Sequence, residues 1–430
     1  MSGPLLRRIS PDQVTSLRRD PVDAETLSVA GQIVDDVRRR GEAALREYAE
    51  RYDGLLPRQP LVIKRAELLA ALDALAPHER ALLDRVADRI RRFAVAQREC
   101  LQELTYAIPG GTAGHTIAPA DVAGCYAPGG RFPLPSSVLM TVIPARVAGV
   151  ETVWVASPRP TAVTLAAAAL AGADALLCAG GAQAIAALAY GAGPGPPCAA
   201  VVGPGSRWVT AAKQLVAGHV AIDMLAGPSE LVVLADHSAD AVLVAADLLA
   251  QAEHDADARP LLVTTSETLA DATEQQLARQ LLGLPTAETA RAALSNGFSV
   301  VASDLPEAVR LCDRIAPEHL ALHVADAQAT AAQVRHYGGL FVGAQTAEVL
   351  GDYGAGPNHV LPTGGTARST GGLSVLTFLR VRTWLRVDDS RGAAGLYADA
   401  VALARLETLE AHARSAIARH PDLDSCGLRA

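Results

Sequence analysis

The 430-residue sequence predicts an α/β fold with parallel strands in more than one sheet. Short β-branched runs alternate with Ala/Leu-rich helical segments between Ala120 and Val342, and mostly helical segments precede and follow them. Parallel strands need long crossover connections, usually helices, which cover both faces of the sheet. Because the chain exceeds the usual size of one hydrophobic core, we expect several domains.

Residues 1–120 are predicted to be a helical part joined to the first α/β domain. Apolar positions recur at three- and four-residue intervals in GQIVDDVRRRGEAALREYAERYDG and again in APHERALLDRVADRIRRFAVAQ. This spacing places the apolar side chains on one face of a helix.

The next 260 or so residues carry the strand signals. The predicted strands are TVWVAS, ALLCAG, CAAVVG, VAIDM, ELVVLAD, PLLVTT, SVVAS and GGLFVG. Clusters of Gly and Pro near residues 130 and 228 indicate boundaries, so residues 121–230 are predicted to form a subdomain. Residues 231–378 are then the remainder of the first α/β domain. A long amphipathic segment before Pro421 predicts a small helical C-terminal domain over residues 379–430.

Composition argues against several kinds of partner. The net charge is −8 and there is no polybasic block, so neither nucleic acid nor an anionic membrane surface is expected. The N-terminus lacks the apolar core of a signal peptide, and no apolar stretch reaches the ~20 residues of a membrane span. Six widely separated cysteines are typical of a reducing compartment, so we expect the cytoplasm.

Two segments carry candidate metal ligands. In DLLAQAEH, Gln251 and His254 lie three residues apart, which places both on one helix face. For this pair alone, an exposed polar helix end is the more common explanation. In VLGDYGAGPNHVLPTGG, glycines and prolines predict an irregular loop that carries Asp352 and His359. Oxygen and imidazole donors suit Zn²⁺, although an Asx turn and a hydrogen-bonded histidine also explain them.

Adjacent acidic and imidazole groups occur in RIAPEHLALHV as Glu318 and His319. A carboxylate beside an imidazole is suited to proton transfer near neutral pH, although a surface pair is the common alternative. Two strand-to-helix turns place Gln183 and Ser206 at helix starts, where free N–H groups favour an anion or a capping side chain. The GxGxxG dinucleotide fingerprint is absent.

The order and spacing of eight segments resemble the histidinol dehydrogenase family over almost the whole chain. These segments are CYAPGGRFPLPSSVLM, GGAQAIAALAYG, VGPGSRWVTAAK, IDMLAGPSE, DLLAQAEHDADA, IAPEHL, GDYGAGPNHVLPT and EAHARSA. The resemblance implies zinc-containing, NAD-dependent four-electron oxidation of L-histidinol to L-histidine through L-histidinal, the last steps of histidine biosynthesis. It also implies two incomplete Rossmann-like domains, with residues 121–230 on the NAD side, in an intertwined homodimer.

The resemblance assigns roles to residues of this chain. The implied ligands of one Zn²⁺ per site are Gln251, His254, Asp352 and His412. The implied catalytic residues are Glu318 and His319. The implied substrate contacts are Ser229, His319, His359 and Glu407, together with the four metal ligands. The implied NAD contacts are Tyr126, Gln183 and Ser206. Residues 379–430, with Glu407 and His412, would contribute to the partner subunit's site.

Several positions depart from the family pattern. Ser206 stands where the family typically has Asn, and its hydroxyl lacks the two-sided hydrogen bonding of a carboxamide. Trp208, Leu225 and Ala94 replace the usual Tyr, Pro and His. A paralogous NAD-dependent dehydrogenase of another small amino alcohol or diol therefore stays open. A zinc hydrolase, which would form no NADH, and a non-catalytic dimeric scaffold are the alternatives from other classes.

Overall fold

The computed structural model describes residues 4–16, 22–129 and 133–420. The chain divides into two compact units, each built from separated segments. The first unit comprises Met1–Arg98 and Ala120–Phe378, and the second comprises Glu99–Pro119 and Leu379–Ala430.

Strands and helices alternate through most of the described sequence. The strands are β1 (Arg7–Ile9), β2 (Val62–Lys64), β3 (Leu104–Ile108), β4 (Gly111–Pro119), β5 (Val122–Tyr126), β6 (Thr152–Ala156), β7 (Ala175–Leu177), β8 (Ala200–Val202), β9 (Ala221–Ile222), β10 (Glu230–Ala235), β11 (Arg259–Thr264), β12 (Phe298–Val301), β13 (His319–His323), β14 (Gly339–Val342) and β15 (Leu379–Val387). The α-helices are α1 (Pro11–Thr15), α2 (Ala24–Arg40), α3 (Glu42–Tyr48), α4 (Arg65–Asp73), α5 (Pro77–Glu99), α6 (Pro135–Ala148), α7 (Ala162–Ala171), α8 (Gly181–Tyr190), α9 (Arg207–Val216), α10 (Ala241–Ala252), α11 (Glu267–Gln280), α12 (Ala287–Asn296), α13 (Leu305–Ile315), α14 (Ala327–Ala331), α15 (Val349–Asp352), α16 (Ala394–Leu406) and α17 (Glu410–Ile417).

The first sheet has the strand order β1-β12-β11-β10-β13-β14, and every neighbouring pair is parallel. One apolar core on this sheet includes side chains of α10, α11 and α12, and another includes side chains of α1 and α13. Both faces of the sheet are therefore covered, which explains why its strands read as continuous apolar runs in the sequence.

The second sheet has the order β2-β7-β6-β5-β8-β9, in which only the edge strand β2 is antiparallel to its neighbour. The helix α2 packs against α8 and α9, and α4 packs against α7. Most of the N-terminal helical part therefore packs with the second sheet. Of the described N-terminal segments, β1 pairs within the first sheet and α1 packs on it, while α5 contacts the loop after α15 through the hydrogen bond from Arg89 to the carbonyl of Gly354.

The second unit contains a three-stranded antiparallel sheet of order β15-β4-β3 and the helices α16 and α17, which pack on each other. The predicted helical domain over residues 379–430 is therefore wrong at its start, where β-branched and aromatic residues form β15. The long amphipathic segment predicted before Pro421 forms two helices, α16 and α17. It is broken at Thr408, whose positive φ of 60° interrupts the helical backbone between α16 and α17.

The eight predicted strands are all present, and the α/β class with parallel strands in two sheets is confirmed. Helices fill most of the two segments with helical periodicity in residues 1–120, and β2 lies between them. None of the helices in the described part of the chain combines the length and the apolar character needed to cross a bilayer.

The turn between β8 and α9 is fixed by a buried ion pair between Lys213 and Asp223. The Lys213 ammonium donates to the carbonyl of Gly203 (3.1 Å), and the Asp223 carboxylate accepts from the Gly203 N–H (2.7 Å). Only glycine fits at position 203, because its φ is 115° and a Cβ would lie 2.0 Å from the carbonyl oxygen of Tyr126. Lys213 and Asp223 therefore fix the backbone three residues before Ser206.

Candidate active site

Several of the predicted metal, acid–base and substrate residues lie at the amino ends of the strands of the first sheet. Ser229 immediately precedes β10, while Glu318 and His319 lie at the start of β13. Gln251 lies in the last turn of α10, which leads into β11 at the same end of the sheet. These residues come from distant parts of the sequence, and the parallel topology brings them together.

Gln251, His254 and Asp352 are the three predicted metal ligands that lie in the first unit. The Gln251 side chain is fully buried, and its Nε2 has no hydrogen-bond partner among the described residues. His254 follows the end of α10, with its side chain 38% exposed, and its Nε2 lies 3.2 Å from Asp352 Oδ2. An amide oxygen, an imidazole nitrogen and a carboxylate oxygen form a donor set that suits Zn²⁺. The residues present therefore fit the metal that the sequence predicts.

Asp352 is the last residue of the short helix α15, so the irregular loop predicted for this segment begins only after it. The carbonyl oxygen of Asp352 lies 3.1 Å from Nδ1 of His359. Because a carbonyl can only accept, this contact assigns the ring proton to Nδ1 and leaves Nε2 of His359 as an acceptor. Burial raises the pKa of Asp352, but the contact with His254 and the neighbouring imidazoles lower it more, and the net shift is downward.

Glu348 is a site residue that the sequence analysis missed. Its side chain is 1% exposed, and neither carboxylate oxygen has a hydrogen-bond partner in the described chain. Candidate ligand atoms of His319, Glu348 and Asp352 all lie within 4.8 Å of one another. Burial, followed by the charge of Asp352, raises the pKa of Glu348 above its ordinary value. Two buried carboxylates this close are costly unless a cation accompanies them.

His319 lies in the middle of this cluster with a ring that is 4% exposed. Its Nδ1 is 3.3 Å from Gln251 Oε1 and 3.5 Å from Glu348 Oε1. Two oxygen acceptors at Nδ1 indicate that the proton resides there and that Nε2 carries the free lone pair. Burial lowers the pKa of His319 to about 4, so the imidazole is neutral near pH 7 and able to accept a proton.

Glu318 is also buried, with Oε2 accepting a hydrogen bond from the N–H of Glu230 (2.9 Å) and lying 4.0 Å from His319 Nδ1. Burial raises the pKa of Glu318 well above its usual value. A carboxyl group whose pKa is shifted towards neutral pH is better matched to general acid–base catalysis than an ordinary surface glutamate.

The polar side chains open onto a cavity of about 210 Å³. Its lining includes Ser229, His254, Glu318, His319, Asp352 and His359. Pro204 and Gly205, from the turn that follows the second-sheet strand β8, also line this cavity. A second cavity of about 690 Å³ shares several lining residues and is mostly apolar, with Leu82, Leu83, Val86 and Val349 on its walls. The site thus combines a small polar pocket with a larger apolar one.

The predicted cofactor residues occupy the carboxyl ends of the second sheet. Tyr126 ends β5, and its hydroxyl accepts a hydrogen bond from the N–H of Gly181 (3.3 Å), two residues before Gln183. Both side chains are almost fully buried. Ser206 lies exposed at the N-cap of α9, and its hydroxyl makes no capping hydrogen bond. The carboxyl ends of parallel strands are where open α/β sheets bind their ligands.

Glu407 and His412 belong to the second unit, on either side of the break at Thr408. Glu407 follows the last residue of α16, and His412 lies in the first turn of α17. Both side chains are exposed. The short connection between α16 and α17 lies between these two residues. Sequence periodicity did not indicate this connection.

Comparison with known proteins places these features in one family. The histidinol dehydrogenase family matches residues 17–420. The histidinol dehydrogenase of Rhizobium meliloti is 44% identical over 405 residues, which cover 93% of each chain. That of Cereibacter sphaeroides is 45% identical over 409 residues, 94% of this chain and 93% of the relative. A crystal structure of histidinol dehydrogenase from Elizabethkingia anophelis superposes with a TM-score of 0.90 at 29% identity, covering 99% of this chain and all of that one.

The crowding of acidic groups predicts that Glu348 contributes to metal affinity. Replacing Glu348 with Gln keeps the side-chain shape but removes one buried negative charge, and we expect Zn²⁺ affinity to fall about 10- to 100-fold. Competition titration with a chelator of known affinity measures this change. The matched control is Glu253→Gln, an exposed carboxylate beside His254 that accepts from the Thr286 hydroxyl. Equal affinities for the wild type and Glu348→Gln would contradict the prediction.

Proposed function

Because the chain belongs to the histidinol dehydrogenase family, we propose that it oxidises L-histidinol to L-histidine through L-histidinal, with NAD⁺ as the electron acceptor and one Zn²⁺ per site. Members of this family are oxidoreductases that catalyse the last steps of histidine biosynthesis. The observation that carries the proposal is the meeting of candidate metal ligands with a buried Glu–His pair in one small cavity.

Gln251, His254 and Asp352 would hold the zinc ion, together with His412 of a second subunit. Bound Zn²⁺ would fix the imidazole nitrogen and the amine of the substrate, so its contribution is mainly to position the reacting alcohol. Gln251 Oε1 would then bind the metal and would no longer accept from His319. Glu348 would be the remaining partner of His319 Nδ1. The side chain of Glu348 thus keeps the imidazole in the orientation that exposes Nε2.

His319 supplies the base for the first oxidation. Its neutral imidazole takes the hydroxyl proton of the alcohol at Nε2 while the adjacent carbon loses a hydride to NAD⁺, which gives the aldehyde. Burial favours this role, because the ring is not already protonated near pH 7. The imidazolium formed is stabilised at Nδ1 by the carboxylate of Glu348 at 3.5 Å.

Glu318 would serve the second oxidation by taking a proton from the water that adds to the aldehyde. The hydrate formed in this way loses a second hydride to NAD⁺ and leaves as the carboxylate of L-histidine. Glu318 is held for this role by the N–H of Glu230, which fixes one carboxylate oxygen. Ser229 and His359 line the same cavity and supply polar contacts to the substrate, with Glu407 of the second subunit suited to the ammonium group.

The NAD site is proposed at the carboxyl ends of the second sheet, with contacts from Tyr126, Gln183 and Ser206. Two observations support this site. Tyr126 and Gln183 flank the same Gly180–Gly181 turn. Gly205, which directly precedes Ser206, lines the cavity in which the reaction is proposed. The parallel strands of the two larger sheets support the description of both domains as incomplete Rossmann-like folds. A serine hydroxyl at position 206 offers fewer hydrogen bonds than the family's asparagine.

A homodimer with shared sites is proposed from features of the second unit. One face of its three-stranded sheet exposes apolar side chains in neighbouring register, namely Leu104, Tyr106, Val381, Leu385 and Val387. An apolar face of this kind is costly in water and is typical of an interface between copies. Glu407 and His412 are exposed in the same unit and are therefore available to a neighbouring subunit.

The cytoplasm is the proposed compartment. The cysteines Cys100, Cys125, Cys178, Cys198 and Cys312 are free thiols, and all except Cys100 are buried. Free thiols in a chain of this size are usual in a reducing environment.

Two substitutions separate metal binding from proton transfer. His254→Ala should remove bound zinc and NAD reduction together. His319→Asn should retain zinc and L-histidinol binding, while kcat falls about 10²- to 10⁴-fold because the base is missing. Zinc content by elemental analysis and NADH formation by absorbance give both readouts. A metal-free His254→Ala variant with full activity would refute the zinc assignment.

Shared sites predict complementation between two inactive variants. His254→Ala and His412→Ala each damage a different half of the proposed site, so each homodimer should be inactive. Co-expression should produce hybrid dimers with one intact site, and random pairing restores about one quarter of the wild-type activity. NADH formation by the co-purified mixture measures this recovery. No recovery from verified hybrid dimers would show that His412 acts on the site of its own subunit or on no site.

A further inference from the structure

Asp53 is a buried carboxylate far in the sequence from every predicted site residue. It ends a π-helical turn, Ala49–Asp53, that follows α3, and its side chain reaches the start of α8. Oδ2 accepts hydrogen bonds from the N–H of Gly180 (2.8 Å) and from Nε2 of Gln183 (3.0 Å). The proposed NAD contact Gln183 is therefore held by a residue of the N-terminal helical part.

Burying the Asp53 carboxylate costs free energy. Asp53 is 8% exposed, and burial raises its pKa even though the two hydrogen bonds and the charge of Arg159 act in the opposite direction. Burying a charged group is unfavourable unless its hydrogen bonds are satisfied. Both donors that reach Asp53 belong to the Gly180–Gln183 segment, so the arrangement serves the start of α8.

The geometry around α8 leaves little freedom to this segment. A Cβ at Gly180 would lie 2.9 Å from Oδ1 of Asp53 and 2.7 Å from Cγ of Pro158. Gly181 has a positive φ of 58°, and its N–H donates to the Tyr126 hydroxyl. Asp53 and Tyr126 thus occupy two of the amides that a helix N-terminus otherwise offers to an anion.

The hydrogen bonds also determine which end of the Gln183 amide remains available. Asp53 Oδ2 accepts from the N–H of Gly180, so this oxygen carries no proton that it could donate. The Gln183 amide contacts the same oxygen and must therefore turn its NH₂ group towards it. The carbonyl Oε1 is then the end left for a ligand. A carbonyl oxygen accepts from hydroxyl and amino groups and repels phosphate oxygens.

We propose that Asp53 is a positioning residue of the dinucleotide site, which orients Gln183 so that its Oε1 accepts a hydrogen bond from a hydroxyl or amino group of NAD. This inference rests on the proposed function, because it takes Gln183 to be an NAD contact. It adds that Gln183 recognises the ribose, nicotinamide carboxamide or adenine amine, and not the pyrophosphate. The N-terminal helical part then contributes to cofactor affinity through Gln183.

The first test is Asp53→Asn in the zinc-loaded enzyme, with NADH binding measured by fluorescence. Loss of the charge-assisted bond should weaken NADH binding and raise KM for NAD⁺ about tenfold. KM for L-histidinol and zinc content should be unchanged. The control is Asp36→Asn, because this carboxylate of α2 accepts from the Tyr48 hydroxyl and pairs with Arg40 away from Gln183. Unchanged NADH binding in folded Asp53→Asn would overturn the proposal.

A rescue experiment distinguishes orientation of Gln183 from general structural support. Gln183→Glu places two carboxylates together, so NADH binding should fall. Adding Asp53→Asn restores a donor–acceptor pair, since the asparagine NH₂ can donate to the new glutamate. Tighter NADH binding in the double variant than in Gln183→Glu supports the proposal, and equal or weaker binding overturns it. Failure of the wild type to reduce NAD⁺ with L-histidinol would instead refute the proposed function.

Discussion

The candidate active site depends on the burial of Gln251, His319, Glu348 and Asp352 with too few partners of their own. Three of them leave a polar side-chain atom without a hydrogen bond among the described residues. Two of them are carboxylates separated by less than 5 Å, judged by their candidate ligand atoms. A bound cation would reduce the acidic part of this cost, because it would offset the charge of the two carboxylates. The neutral state of His319 follows from its burial, which outweighs the charge of Asp352, and the oxygens of Gln251 and Glu348 near Nδ1 determine the orientation of its ring.

The two larger sheets place complementary groups at the reaction cavity. The first sheet contributes Glu318 and His319 from the amino end of β13, and the second contributes Pro204 and Gly205 from the turn after the carboxyl end of β8. Buried carboxylates hold the second sheet's turns in place: Asp223 fixes Gly203, and Asp53 fixes Gly180. At these two turns, hydrogen bonds to protein carboxylates set the backbone geometry, in a chain that lacks the GxGxxG fingerprint.

Local sequence pattern predicted the parts of the fold whose cause is local. Buried parallel strands such as β10 are continuous apolar runs, so the sequence shows them directly. The antiparallel sheet was missed although β15 alternates arginines with apolar residues, the pattern of a strand with one solvated face, because a strongly helical tail follows it. Glu348 lies one helical turn before Asp352, and the helix that relates them was predicted as a loop. Asp53 and Gln183 are 130 positions apart, so no local pattern connects them.

The ratio of NADH formed to L-histidinol consumed by the zinc-loaded enzyme tests the central claim most directly, provided that the product is identified. Two NADH and L-histidine are the predicted result, because His319 and Glu318 serve successive oxidations in one cavity. One NADH with L-histidinal as the product would contradict the assigned role of Glu318. If the zinc-loaded enzyme consumes L-histidinol without forming NADH, or consumes no L-histidinol at all, the account of this site as that of a four-electron dehydrogenase is contradicted.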